Sequence, residues 1–254
     1  MKNLITIEWM KLRRLMTMKV ILIVYAIMVP LIFWAISYIS IRVGPGTEVS
    51  LPSSMYQFPE VYNYVGYIAS FFNLMIGVIV IVFTTNELKY KTQRQNVIDG
   101  LNKREVIMAK FYVVFLLAFA ISFYAFLVSL IFGAINGNIG DLFDGIQHVG
   151  AYFVSTFGYF IFALFFANLV RLPALAIVLY LVSTTVEGII GFITTNMYVQ
   201  FFPLSTFADL VPIPILPDGA PEFIWGQGGR VLLALGYILI LVIISYRVIK
   251  KRDI

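Results

Sequence analysis

Few side chains here could do chemistry, and their positions restrict what it could be. One acid, Glu187, falls well inside an apolar run, within VSTTVEGIIGFITTN. A carboxylate at the centre of a membrane costs about 2.5 kcal/mol or more to insert, so such a group faces protein or water and suits a pathway or an interface. The alternative is a hydrogen-bonded packing residue, because Thr184, Gly188, Gly191 and Thr195 recur beside it as a small-residue face suited to close helix contact. His148, the single histidine, sits at the end of another apolar run and reads as an interfacial polar tip. No nucleotide-cradling G-x-x-x-x-G-K-[ST], H-E-x-x-H or G-x-S-x-G pattern occurs. With no cysteine either, thiol nucleophiles and thiolate metal sites are excluded. The expectation is no catalytic residue, no metal site and no cofactor in this chain.

The remaining polar chemistry is concentrated in TTNELKYKTQRQNVIDGLNKREVIMAK, residues 84–110, which holds nine of the 31 charged side chains. Within it Val97, Ile98 and Leu101 form an apolar cluster amid Arg94, Gln95, Asn96 and Asp99. A short helix of that make-up could press its apolar residues into a partner's cleft while the polar rim sets register. Gly100 suits its C-terminal stop, and NKRE places Asn102 and Glu105 as the capping pair of a following helix.

What must position these groups is a membrane domain. The chain is 61% hydrophobic and 12% charged with a mean hydropathy of +0.93, more apolar surface than a soluble fold of 254 residues can hide. Six runs meet the roughly 20 residues that a bilayer core demands: 20–41, 63–84, 111–134, 148–169, 173–195 and 231–248. With both termini inside, segments 1–19, 85–110, 170–172 and 247–254 carry 16 of the 18 Lys and Arg residues, which fixes them as cytoplasmic. The expected fold is all-α: one transmembrane domain, 1–254, of six spans with N-in and C-in termini, in the plasma or inner membrane.

Two flanking segments complete that outline. In 1–19, Ile5, Trp9, Leu12 and Met16 fall on one helical stripe, so an amphipathic interfacial helix among membrane lipids is expected; a plain basic flank is the alternative. Residues 196–230 hold five of the ten prolines yet are strongly apolar. YVQFFPLSTFADLV is too short to cross, and is either a helix that dips back into the membrane or an ordinary outer loop.

Spans, N-terminal helix and loop together resemble the permease subunits of type-2 ATP-binding-cassette (ABC) transporters. Glu87, Thr92, Arg94, Gly100, Leu101, Arg104 and Lys110 stand where that family places its acidic residue, turn, coupling helix and entering lysine; Lys91 and Asn102 depart from the usual glycine and proline. The resemblance implies an ATP-driven exporter in which these residues, with Val97 and Ile98, couple to a cytoplasmic ABC ATPase. Two ATPase copies, binding ATP and Mg in the partner, would serve this chain and a second copy or paralogue, with no nucleic acid involved. It also implies that Tyr64, Tyr67, Phe71 and Asn73 of span two, and Glu187 of span five, line the path of a peptide, drug or lipid-like cargo. A non-transporting scaffold or an ion-coupled carrier are the competing readings.

Overall fold

A computed structural model describes residues 10, 15–36, 40–42, 48–50, 53–89, 103–136, 141–170, 172–193, 199–212, 214 and 226–250. Its α-helices are α1 Met16–Ile36, α2 Glu60–Ser70, α3 Asn73–Lys89, α4 Lys103–Asn136, α5 Ile146–Val170, α6 Pro173–Ile193, α7 Pro203–Ala208 and α8 Gly226–Lys250. The all-α expectation is qualified by one small ribbon, in which β1 Ser40–Arg42 pairs antiparallel with β2 Glu48–Ser50. Single 3-10 turns cover Ser53–Tyr56 and Val199–Phe201.

Among the described residues α1, α4, α5, α6 and α8 are each long and apolar enough to cross a membrane. Helices α2 and α3 pass that test only together, bent by 49° at their junction, and count as a sixth span if they cross as one. The chain is a multi-pass membrane protein. Each expected run overlaps one of these elements, but the ends move: α1 stops at Ile36 instead of 41, and α8 starts at Gly226 instead of 231. Met16, expected on the interfacial helix, opens α1 and is exposed; Ile5, Trp9 and Leu12 lie outside the described residues.

Side-chain register sets the directions. Tyr25 of α1 donates to the Ile121 carbonyl and Phe33 meets Phe132 edge-on, so α1 and α4 run parallel. Phe115 and Phe119 of α4 meet Phe157 and Phe153 of α5 in reverse order, so that pair is antiparallel. Lys19, Lys89, Arg104 and Lys250 therefore gather at one end of the bundle, the basic end, and the ribbon lies at the far end.

The core sits on α5. It is the most enclosed of the five single-helix spans, and α2, α3, α4, α6, α7 and α8 all pack against it. By contrast α1 and α6 turn rows of apolar side chains outward, as lipid-facing helices do. Two breaks in regular helix have local chemical causes. Pro30 has no N–H for the Ala26 carbonyl, and the Tyr124 hydroxyl donates to that oxygen instead. At the end of α2, the Ser70 hydroxyl takes the Tyr67 carbonyl at 2.7 Å and the Phe72 N–H takes that of Ala69, a tightening that bends the span.

Candidate functional site

At the basic end, α3 and α4 leave and re-enter the bundle around residues 90–102, which lie outside the described residues together with Thr92, Arg94, Val97, Ile98, Gly100 and Leu101. The ends of that loop are described. Glu87, near the end of α3, and Lys110, on the second turn of α4, form an ion pair with their side chains 6% and 2% exposed. The Lys110 ammonium also lies 5.4 Å from the centroid of the Phe83 ring. Arg104, six residues earlier on α4, is exposed beside Glu105. Of the coupling residues expected from sequence, Glu87 and Lys110 are thus turned inward onto each other, and Arg104 is turned outward.

Half-way up the bundle, a second polar group surrounds the bend between α2 and α3. Asn73, fully buried at the start of α3, accepts hydrogen bonds from Thr156 at 3.2 Å and Tyr152 at 3.5 Å, both on α5. Tyr152 also meets the Tyr25 hydroxyl at 3.3 Å. Each phenol has one proton, so that contact competes with Tyr25 donating to Ile121 and Tyr152 donating to Asn73. Among the other expected path residues Tyr64 is buried, Tyr67 is half-buried, and Phe71 lies on the surface with its ring against Tyr67.

Glu187 organises the third group. Its carboxylate accepts the backbone N–H groups of Ser205 at 2.8 Å and Leu204 at 3.4 Å, and the Ser205 hydroxyl at 3.1 Å. These donors belong to α7, inside the proline-rich stretch. Other spans hold the same segment: Tyr159 of α5 donates to the Leu204 carbonyl at 3.4 Å, and Tyr237 of α8 to that of Phe201. Arg230 of α8 donates to the Asp209 carbonyl at 2.8 Å. Phe207 occupies the place where a side chain on Gly158 would stand, 2.6 Å from an ideal Cβ there. The expected small-residue face is only partly used within the chain: Gly191 is buried, but Gly188 has open space beside it.

This arrangement can hold a returning segment and bend a span; no described group of His, Asp and Glu could hold a metal ion. Against known families, the model described as "ABC-2 family transporter protein" matches residues 4–199, about three quarters of the chain. The chain belongs to the ABC-2 transporter family. A comparison with curated proteins finds no match. Membership makes it a membrane component of an ABC transporter, in a family whose permeases partner with an ATPase subunit. The match takes in every described coupling residue, Asn73 and Glu187, and stops at the edge of the returning segment.

Several of these residues escape a reading of sequence alone. Tyr152, Tyr159 and Tyr237 stand within spans instead of at their ends, where the interfacial aromatic belt places tyrosine. A phenol at that depth needs a partner, and that is the signal that could have found them.

Proposed function

We propose that this ABC-2 chain is the permease subunit of an ATP-driven exporter, working with a second copy or paralogue and two cytoplasmic ATPase subunits. The basic end is cytoplasmic by the positive-inside rule. The loop between α3 and α4 docks the ATPase, with Val97, Ile98 and Leu101 as its apolar contact and Thr92, Arg94, Gly100 and Arg104 around it.

The observation that supports this most is the buried Glu87–Lys110 pair at the base of the loop. A pair withdrawn from water fixes where the loop leaves α3 and joins α4, so a push on the loop moves both spans as one body. Glu87 and Lys110 then act by positioning the loop, while the ATPase meets residues beyond them. The cargo is at least partly apolar (a peptide, drug or lipid-like molecule), a reading supported by the 23 Phe and 15 Tyr.

The test is substitution of Val97, Ile98 and Leu101 by Asp in the complex with its ATPase. Substrate-stimulated ATP hydrolysis is expected to disappear. Transport that survives with the ATPase still bound would overturn the docking role.

A further inference from the structure

We infer that Glu187 is a positioning residue that pins residues 199–212 inside the bundle and so keeps the far end of the path shut between turnovers; the shutting, though not the pinning, rests on the permease reading above. Depth comes first. Gly158, against Phe207, is the thirteenth of 25 residues in α5, and Tyr237, bonded to Phe201, is the twelfth of 25 in α8. At about 1.5 Å per residue both lie roughly 17–18 Å in from the far end of their helices, near mid-span. The chain leaves α6 at the far end and re-enters α8 there, so 199–212 goes in and comes back.

A short returning helix exposes backbone N–H groups that have no partner of their own, and lipid offers none. In α7 the Thr206 N–H finds the Phe202 carbonyl, while those of Leu204 and Ser205 are taken by Glu187. Tyr159, Tyr237 and Arg230 all donate to carbonyls of the segment, so they serve its acceptors while Glu187 serves the Leu204 and Ser205 N–H groups. A carboxylate has two oxygens for the three donors, whereas glutamine has one. An apolar side chain would fill the space but leave two N–H groups unsatisfied. The charge at this position is explained by the segment it holds.

The natural chain has no cysteine, so one reporter thiol can be read cleanly. Val211 is buried at the end of the segment, where it packs on Gly66 of α2. The Val211→Cys chain in intact vesicles, far side outward, is treated with a membrane-impermeant maleimide, without ATPase or nucleotide. Labelling is expected to be slow, to rise about tenfold or more when Glu187→Ala is added (about 1.4 kcal/mol of lost local stability), and to rise less with Glu187→Gln. Equal labelling in the parent and the Glu187→Ala chain overturns the pinning. An Ala118→Cys reporter, fully buried on α4, checks the fold. If it also becomes reactive, the comparison passes to Glu187→Gln, where labelling equal to the parent is the overturning result. Vesicles loaded with a small dye test the shutting: leakage is expected from Glu187→Ala and not from the parent, and tight vesicles with a labelled segment overturn that part. Because neither measurement includes the ATPase, a chain that fails to bind any ATPase but shows the expected labelling refutes the permease reading and leaves the pinning standing.

Discussion

Replacing Lys110 by methionine keeps a long unbranched side chain but leaves the Glu87 carboxylate, 6% exposed, without its ammonium. Removing one partner from a buried ion pair costs about 3–5 kcal/mol, because the survivor keeps its desolvation penalty. Replacing both partners by well-packed hydrophobic residues of similar volume is close to neutral by the same reasoning. Lys110→Met alone is therefore expected to lose about 3–5 kcal/mol, Glu87→Met alone to lose a comparable amount, and the double variant to recover most of it. Equilibrium unfolding in mixed micelles, run as a double-mutant cycle, reads the coupling directly. ATPase stimulation in the same four chains then separates stability from loop position. A double variant that unfolds as easily as the sum of the singles refutes the argument, since it would mean the two charges do not act as a unit.

Two further outcomes are expected. Asn73→Ala and Thr156→Ala should couple by about 0.6 kcal/mol and by no more than about 1.7 kcal/mol, the range for hydrogen bonds between membrane helices; a mixed-micelle cycle showing strict additivity would remove that bond from the account. An added methyl at Gly77 would run into Tyr180, and the first atom it meets is the hydroxyl oxygen. Gly77→Ala should lose about 1–3 kcal/mol by overpacking, and adding Tyr180→Phe should restore part of it, read by thermal unfolding.

The spans were legible because lipid imposes one simple demand, and 111–134 or 148–169 satisfy it by composition alone. The bend was not, because Phe71 and Phe72 are as apolar as their neighbours; the cause lies in the Ser70 hydroxyl taking a carbonyl of its own helix. The base of the coupling loop was half legible. Its charges point to a cytoplasmic face, but whether Lys110 meets water, an ATPase or Glu87 depends on how two helices pack that carry these residues 23 positions apart. Glu187 stood out as costly from its setting. Its partners did not, since two are backbone N–H groups, which every sequence contains. The six residues of α7 lie below the length at which periodicity identifies a helix.

The returning segment has a consequence for how the chain is made. A chain emerging from the ribosome offers its contacts in order, N-terminal ones first. The Glu87–Lys110 pair joins neighbouring spans and can close as soon as α4 enters the bilayer. Residues 199–212 are different, for two of the side chains that hold them, Arg230 and Tyr237, belong to α8, which follows every other described span in the chain. Until α8 is inserted, α7 has Glu187 and Tyr159 but lacks these two donors. A chain truncated before residue 226 therefore carries every other described span and an unsecured far end. Insertion of α8 is thus the step that secures this segment.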